Sequence, residues 1–173
     1  LDSSYKNIEI IVIDDASSDG TSKYLNAKFG KNKKIKIFKN KKNLFAAGSK
    51  NVGQKKTRGG LIMFIDDDNT VDRKMIEELV NVFKIDPNLG EAGPVNYNFN
   101  DKNLVLLARS TRNMWTTKTN HLRSLTPFKS IKQWKTDDIP NAFMVRADVI
   151  KKNKIEFRAK FGIMYEESDY AYR

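Results

Sequence analysis

The sequence predicts an α/β domain with a mostly parallel sheet, and two observations carry that reading. Short β-branched apolar runs alternate with segments of helical spacing from Ile8 to Phe83, the pattern of strand–helix–strand units. Two of those runs, Ile8–Ile13 and Leu61–Ile65, are continuous rather than alternating, as in strands covered on both faces. The 173 residues suffice for one domain, because a chain of this length buries about 70% of its unfolded surface. Ten Phe, 6 Tyr and 2 Trp supply apolar area and argue against disorder. With 0 Cys, disulfide scaffolds, thiolate metal sites and cysteine catalysis are excluded.

Taken in order, Ile8–Ile13 ends in Asp14-Asp15, and Ser17-Ser18-Asp19-Gly20 supplies turn and cap chemistry. Tyr24, Leu25 and Phe29 give Thr21–Phe29 a helical period that stops at Gly30. Ile35–Phe38 reads as a second strand, and a helix is expected from Ala46 to about Arg58, closed by Gly59-Gly60. Leu61–Ile65 is the strongest strand and runs into Asp66-Asp67-Asp68-Asn69. Asp72 is expected to cap a helix whose apolar side is Met75, Ile76, Leu79, Val80 and Phe83, with Pro87 ending it. Ala92–Phe99 and Leu104–Leu107 are expected strands around an Asn100-Asp101 turn, whereas residues 110–137 show no clean period and suit a substrate loop or insertion. Ala142–Val145 reads as a strand, Ala147–Lys152 as a short helix and Glu166–Arg173 as the start of another.

In open α/β sheets ligands bind beyond the carboxyl ends of strands, and two strands here end in acids. In extended backbone Asp66 and Asp68 lie on one side and Asp67 on the other. A same-side carboxylate pair suits a hard divalent cation, Mg2+ or Mn2+, shared with a diphosphate; a solvated turn with a helix cap fits the same residues. Asp14 and Asp15 can accept from a base or ribose donor, while the alternative for Asp15 is to cap the turn through Ser17 and Ser18. Lys50 lies in a segment that is neither a P-loop nor a dinucleotide fingerprint, yet it can reach a diphosphate as a point charge. Glu166 and Asp169 share a helical face, with Glu167 about 100° away. They supply either a base or a favourable helix N-terminus with an Asp169–Arg173 pair. His121 lacks a nucleophile elbow and reads as an ordinary loop histidine. Trp115 and Trp134 stack on a ligand or anchor their loop.

Four blocks, in order, resemble glycosyltransferase family 2 of the GT-A fold: Tyr5 to Thr21; Asn43-Leu44-Phe45-Ala46-Ala47-Gly48 with Asn51-Val52-Gly53; Phe64 to Thr70, similar to the DXD region; and Tyr165-Glu166-Glu167-Ser168-Asp169 with Arg173. The resemblance implies a Rossmann-like, mostly parallel sheet flanked by helices, incomplete at both ends. It also implies one domain over 1–173, with 1–98 the nucleotide-sugar and metal half and 99–173 the acceptor and base half. It further implies inverting, metal-dependent transfer of a sugar from a nucleotide-diphosphate donor to the hydroxyl of a glycan, lipid or protein acceptor. Carried over by position, Asp15 would contact the base, Asp66 the ribose or the metal shell, and Asp68 the cation, Mn2+ or Mg2+. Asp14, Lys50 and Asp67 would complete the donor site, and Glu167, with Glu166 beside it, would be the catalytic base.

The sequence departs from the family pattern in two places. Glu167 stands where Asp is usual, and Arg158 where an acidic residue often follows the Phe. The family's first strand would precede Leu1, so impaired activity of the isolated chain is expected. The expected location is the cytoplasm or a cytoplasmic membrane face. The net charge of +11 also admits an anionic partner, but no nucleic-acid-binding signature supports nucleic acid. A nucleotidyltransferase, which would release diphosphate rather than a nucleoside diphosphate, and a non-enzymatic scaffold are the other readings.

Overall fold

A computed structural model describes residues 2–113, 115–116, 118–125, 133–161 and 165–173. The chain forms two compact units that exchange segments along the sequence: Tyr5–Ile62 with Arg146–Ala171 and Arg173, and Leu1–Ser4 with Met63–Val145 and Tyr172.

In the first unit, β1 (Ile10–Asp14) and β2 (Ile35–Lys39) pair in parallel, from Ile10 opposite Ile35 to Asp14 opposite Lys39. Helix α1 (Thr21–Phe29) is the crossover between them; a parallel pair requires one. Helix α2 (Phe45–Lys56) packs on β1. Gly53 faces Ile13 in this contact, where a Cβ would stand at 3.5 Å, an ordinary van der Waals distance. β1 is half-buried up to Asp14, where the sequence predicts cover on both faces: among the described residues it pairs with β2 alone.

The remaining elements of this unit are α4 (Ala147–Asn153), a 3-10 turn (Ala159–Phe161) and α5 (Glu166–Ala171). Two amides on α2 hold the segment between α4 and the 3-10 turn. Asn51 donates through Nδ2 to the Phe157 carbonyl at 2.8 Å and accepts the Phe157 N–H at 2.8 Å, as a neighbouring strand would. Gln54 donates to the Ile155 carbonyl and accepts from the Tyr170 hydroxyl, both at 2.8 Å. Beneath them Phe157, 2% exposed, stacks on Tyr170 with ring centroids 4.1 Å apart.

The second unit holds two antiparallel arrangements. β8 (Ala142–Arg146) lies between β3 (Leu61–Ile65) and β4 (Glu91–Ala92), antiparallel to β4. β6 (Val105–Arg112) lies between β5 (Asn96–Tyr97) and β7 (Thr119–Ser124), antiparallel to both. Parallel pairing therefore holds for β1 and β2, while the short hairpin connections around β6 impose the opposite sense. Phe64 and Phe143 meet at 5.0 Å, and helix α3 (Met75–Ile85) buries Leu79, Val80 and Phe83, the side its period predicts. Asp72 caps the turn before α3, accepting the Lys74 N–H at 2.8 Å, and the helix ends at Ile85 ahead of Pro87.

The expected strand Ala92–Phe99 is broken into β4 and β5 around Gly93-Pro94. No side chain fits at Gly93: a Cβ would stand 2.0 Å from Ile139 Cγ2 and 2.9 Å from the Ala142 carbonyl. β7 lies in the stretch where the sequence shows no period, and its residues Asn120–Arg123 are exposed. A strand without a buried face carries no alternation to read.

Candidate functional site

The turn after β1 is built by Asp14. This carboxylate is buried and accepts the Ser17 N–H at 2.9 Å through Oδ1 and the Ser22 hydroxyl through Oδ2, with Lys39 Nζ at 3.8 Å. Ser17 and Ser22 lower its pKa from 3.8 to about 2, outweighing burial, with a smaller contribution from Lys39. Asp14, not Asp15, is thus the residue that caps the turn. Ala16 follows with φ of 64°, a left-handed conformation disfavoured for a residue with a Cβ.

Because the folded pKa lies below the unfolded one, the stabilisation by Asp14 is complete above about pH 4 and is lost as pH falls toward 2. Acid unfolding followed by circular dichroism is expected to show a shallower loss of stability between these limits in Asp14→Asn, which begins less stable at neutral pH.

Asp15 turns the other way. Its Oδ1 accepts Asn40 Nδ2 at 2.8 Å and the Leu44 N–H at 2.8 Å. Burial pushes its pKa up, but donation from Asn40, Leu44, Ser49 and Phe45 brings it below the ordinary value. Asn40 also donates to Ser49 Oγ at 3.0 Å, linking the end of β1 to helix α2 one residue before Lys50. Sequence reasoning missed Asn40 and Ser49. The parallel register of β1 and β2 carries Asn40, the position after Lys39, to Asp15, a pairing that no local sequence pattern shows.

Lys50 is the centre of a second cluster. Its ammonium bonds Glu167 Oε1 and lies 3.4 Å from Glu166 Oε1, with all three side chains largely buried. The same ammonium stands 5.8 Å from the centroid of the Phe157 ring. Tyr165, with φ of 64°, turns the chain into α5 so that both glutamates reach Lys50. Asp169 forms the expected pair with Arg173 at 2.9 Å, and it also takes Arg158 at 2.9 Å. Arg158 therefore neutralises a carboxylate of α5.

The unit that contains Met63–Val145 carries the other acidic group by itself. β3 ends at Ile65, and Asp66–Asn69 close a turn through the Asn69 N–H and the Asp66 carbonyl at 3.3 Å. The alternation expected for extended backbone thus stops before these residues. Asp67 and Asp68 are exposed and Asp66 is half-buried; Asp68 accepts from Asn69 Nδ2 at 2.9 Å. Among the described residues no group of three or more His, Cys, Asp or Glu is arranged to hold a metal. Asp66, Asp67 and Asp68 are oxygen donors of the kind that Mg2+ or Mn2+ takes together with water or phosphate oxygens.

In the same unit, His121 lies on β7 with Nδ1 3.1 Å from the hydroxyl of buried Ser110. Trp115 is 97% exposed and Trp134 half-buried.

The description "Glycosyl transferase family 2" matches residues 1–153. The chain belongs to glycosyltransferase family 2. This family 2 chain is 36% identical over 81 residues to an uncharacterized glycosyltransferase of Haemophilus influenzae, a match covering 47% of the chain and 32% of that relative. It is 33% identical over 79 residues to glycosyltransferase GlyG of Streptococcus pneumoniae, covering 46% and 26%. A cholesterol galactosyltransferase of Borreliella burgdorferi is 36% identical over 81 residues, covering 47% and 22%. Among solved structures, S. aureus TarS 1-349 superposes with a TM-score of 0.66 at 14% identity, covering 99% of the family 2 chain and 48% of TarS. Mannosyltransferase PcManGT from Pyrobaculum calidifontis, in complex with GDP-Man and Mn2+, gives 0.67 at 14%, covering 98% and 44%. These likenesses establish the GT-A fold. The chain spans less than half the length of these solved relatives and about a third or less of the curated ones.

Proposed function

We propose that the protein transfers a sugar from a nucleotide-diphosphate donor to an acceptor hydroxyl with inversion at the anomeric carbon. The observation that carries this reading is the cluster of Lys50 with Glu166 and Glu167, in the same unit as the network around Asp15. Glu167 removes the proton of the attacking hydroxyl at Oε1 or Oε2, so no enzyme nucleophile is required. Lys50 orients that carboxylate and supplies positive charge for an anionic donor. Asp15, fixed by Asn40 and Leu44, receives a donor group of the nucleotide base. Asp14 holds the turn that aims Asp15, while Asp66 and Asp68 would hold Mn2+ or Mg2+, with Asp67 beside them. A bound cation offsets charge on the departing diphosphate.

The family 2 relatives and the PcManGT complex with GDP-Man support the donor class. The acceptor is a glycan, lipid or protein hydroxyl. The cytoplasm or a cytoplasmic membrane face, where nucleotide sugars are at hand, is the proposed location; among the described residues no helix is long and apolar enough to cross a membrane. Calorimetric titration of UDP and GDP, with and without Mn2+, tests the donor site. Metal-dependent binding of one nucleotide that is lost in Asp68→Ala is the expected result, and equal binding by Asp68→Ala overturns the cation assignment.

A further inference from the structure

The positive charge of the chain has one source. From Gly20 to Ile65 the sequence holds 13 Lys and Arg and no Asp or Glu, while outside that stretch 19 cations face all 21 acids. The excess of +11 therefore arises within the unit that contains Tyr5–Ile62.

The fold gathers part of this charge at the amino end of the β1–β2 pair, the end away from Asp15. The turn from α1 to β2 carries exposed Lys31, Lys33 and Lys34 and is closed by the Ile35 N–H on the Asn32 carbonyl at 2.9 Å. Lys34 Nζ donates to the Lys6 carbonyl at 2.7 Å, and the Ile10 N–H donates to the Lys34 carbonyl at 2.7 Å, which brings exposed Lys6 to the same end. Glu9, just before β1, takes the Arg58 N–H at 2.6 Å and Lys36 Nζ at 2.9 Å, so the segment after α2 arrives there too. Lys28 lies in the last turn of α1, ahead of the same turn. The dipole of α1 accounts for Lys28. It does not account for Lys6, Lys31, Lys33 or Lys34, which lie outside the helices. Like charges gathered at one end repel, and an anionic partner relieves that repulsion.

We propose that this end of the unit binds an anionic glycan polymer, which narrows the acceptor to that class; the proposal deepens the transferase reading and rests on it. Lys50, which holds Glu167, and Lys56, in the last turn of α2, stand six residues apart, about 9 Å along the helix axis. A polymer held at the cationic end is long enough to present a hydroxyl to the candidate base in the same unit, and a small acceptor is not. Lysine ammoniums meet phosphate or carboxylate groups as point charges and need no base to read. Single-stranded nucleic acid needs open rings on which to stack. The rings here are covered: the Lys28 ammonium lies 5.2 Å from the Tyr24 centroid and 5.4 Å from that of Phe29, and the Lys56 ammonium lies 5.2 Å from that of Phe38.

The test is titration of the chain, without donor, with dextrans of one length in neutral, carboxymethylated and phosphorylated form, the charged pair matched in charge density. Binding to a charged dextran is expected to exceed binding to the neutral one about tenfold or more and to weaken as salt rises. The two charged arms tell carboxylate from phosphate as the recognised group. Lys31→Glu/Lys33→Glu is expected to lower this binding about tenfold. Lys102→Glu/Lys118→Glu, the same change of charge on exposed residues of the other unit, keeps most of it. Titration of UDP and GDP into Lys31→Glu/Lys33→Glu reads the donor site separately, so a lack of binding to either charged dextran beside intact nucleotide binding overturns this proposal and leaves the transferase reading standing. Equal binding of charged and neutral dextrans overturns it, as does an equal loss in the two double variants. Oligothymidylate bound more tightly than either charged dextran at equal charge assigns the surface to nucleic acid and overturns it as well.

Discussion

Glu167→Gln is expected to lower sugar transfer by about 100-fold or more, while the affinity for the nucleoside diphosphate stays within about threefold. Gln retains the length of Glu and an oxygen that accepts from Lys50, so α5 keeps its place. It loses the ability to take the acceptor proton. Glu167→Asp restores the group usual at this position in the family and separates chemistry from reach. A rate between the two shows that the longer side chain is matched to this site, with Lys50 placed to hold it. Steady-state release of nucleoside diphosphate, alongside calorimetry of the bound nucleotide, reads both quantities. An unchanged rate in Glu167→Gln removes Glu167 from the role of base.

Phe157→Ala is expected to destabilise the unit of Tyr5–Ile62 and Arg146–Ala171 by about 3–5 kcal/mol, as measured by urea unfolding. Three observations place this side chain at the centre of that unit. It is 2% exposed, it stacks on Tyr170 at 4.1 Å, and its backbone is paired both ways with Asn51. The Lys50 ammonium also lies over its ring, so removing it loosens the residue that holds Glu167. Tyr170→Phe is the graded control. It keeps the stack and removes the hydrogen bond to Gln54, and is expected to cost about 1 kcal/mol. Equal losses for the two variants would show that the polar contact, not the ring packing, holds the segment.

Strands and helices that bury a face were legible in the sequence, because burial imposes a period. Leu61–Ile65 and the helix of Leu79, Val80 and Phe83 appear where their apolar residues place them. β7 did not announce itself, since Thr119–Ser124 lies largely in water and nothing forces alternation on it. The candidate site was legible as acids after β1 and β3, but the division of labour within it was not. Asp14 and Asp15 are adjacent and chemically identical, and only the placement of Ser22 and Asn40 makes one a turn former and the other a candidate ligand-binding group. Lys50 and Glu167 are separated by 117 residues, so no local pattern announces their pairing.

The interleaving of the two units also sets an order of assembly during synthesis. Asn51 finds Phe157 only after 106 further residues have been made, and Gln54 finds Tyr170 only after 116. At about 5–20 residues per second this is a wait of roughly 5–20 s. Over the same interval nearly all of the Met63–Val145 unit emerges as one continuous stretch and can fold without waiting. The Tyr5–Ile62 segment must meanwhile remain unaggregated with the partners of Asn51, Gln54 and Lys50 still unsynthesised, and Glu167 reaches Lys50 only after 117 further residues have been made. A ribosome that stalls before residue 157 therefore releases a chain bearing the Asp15 turn and both acidic strand ends but lacking the proposed base.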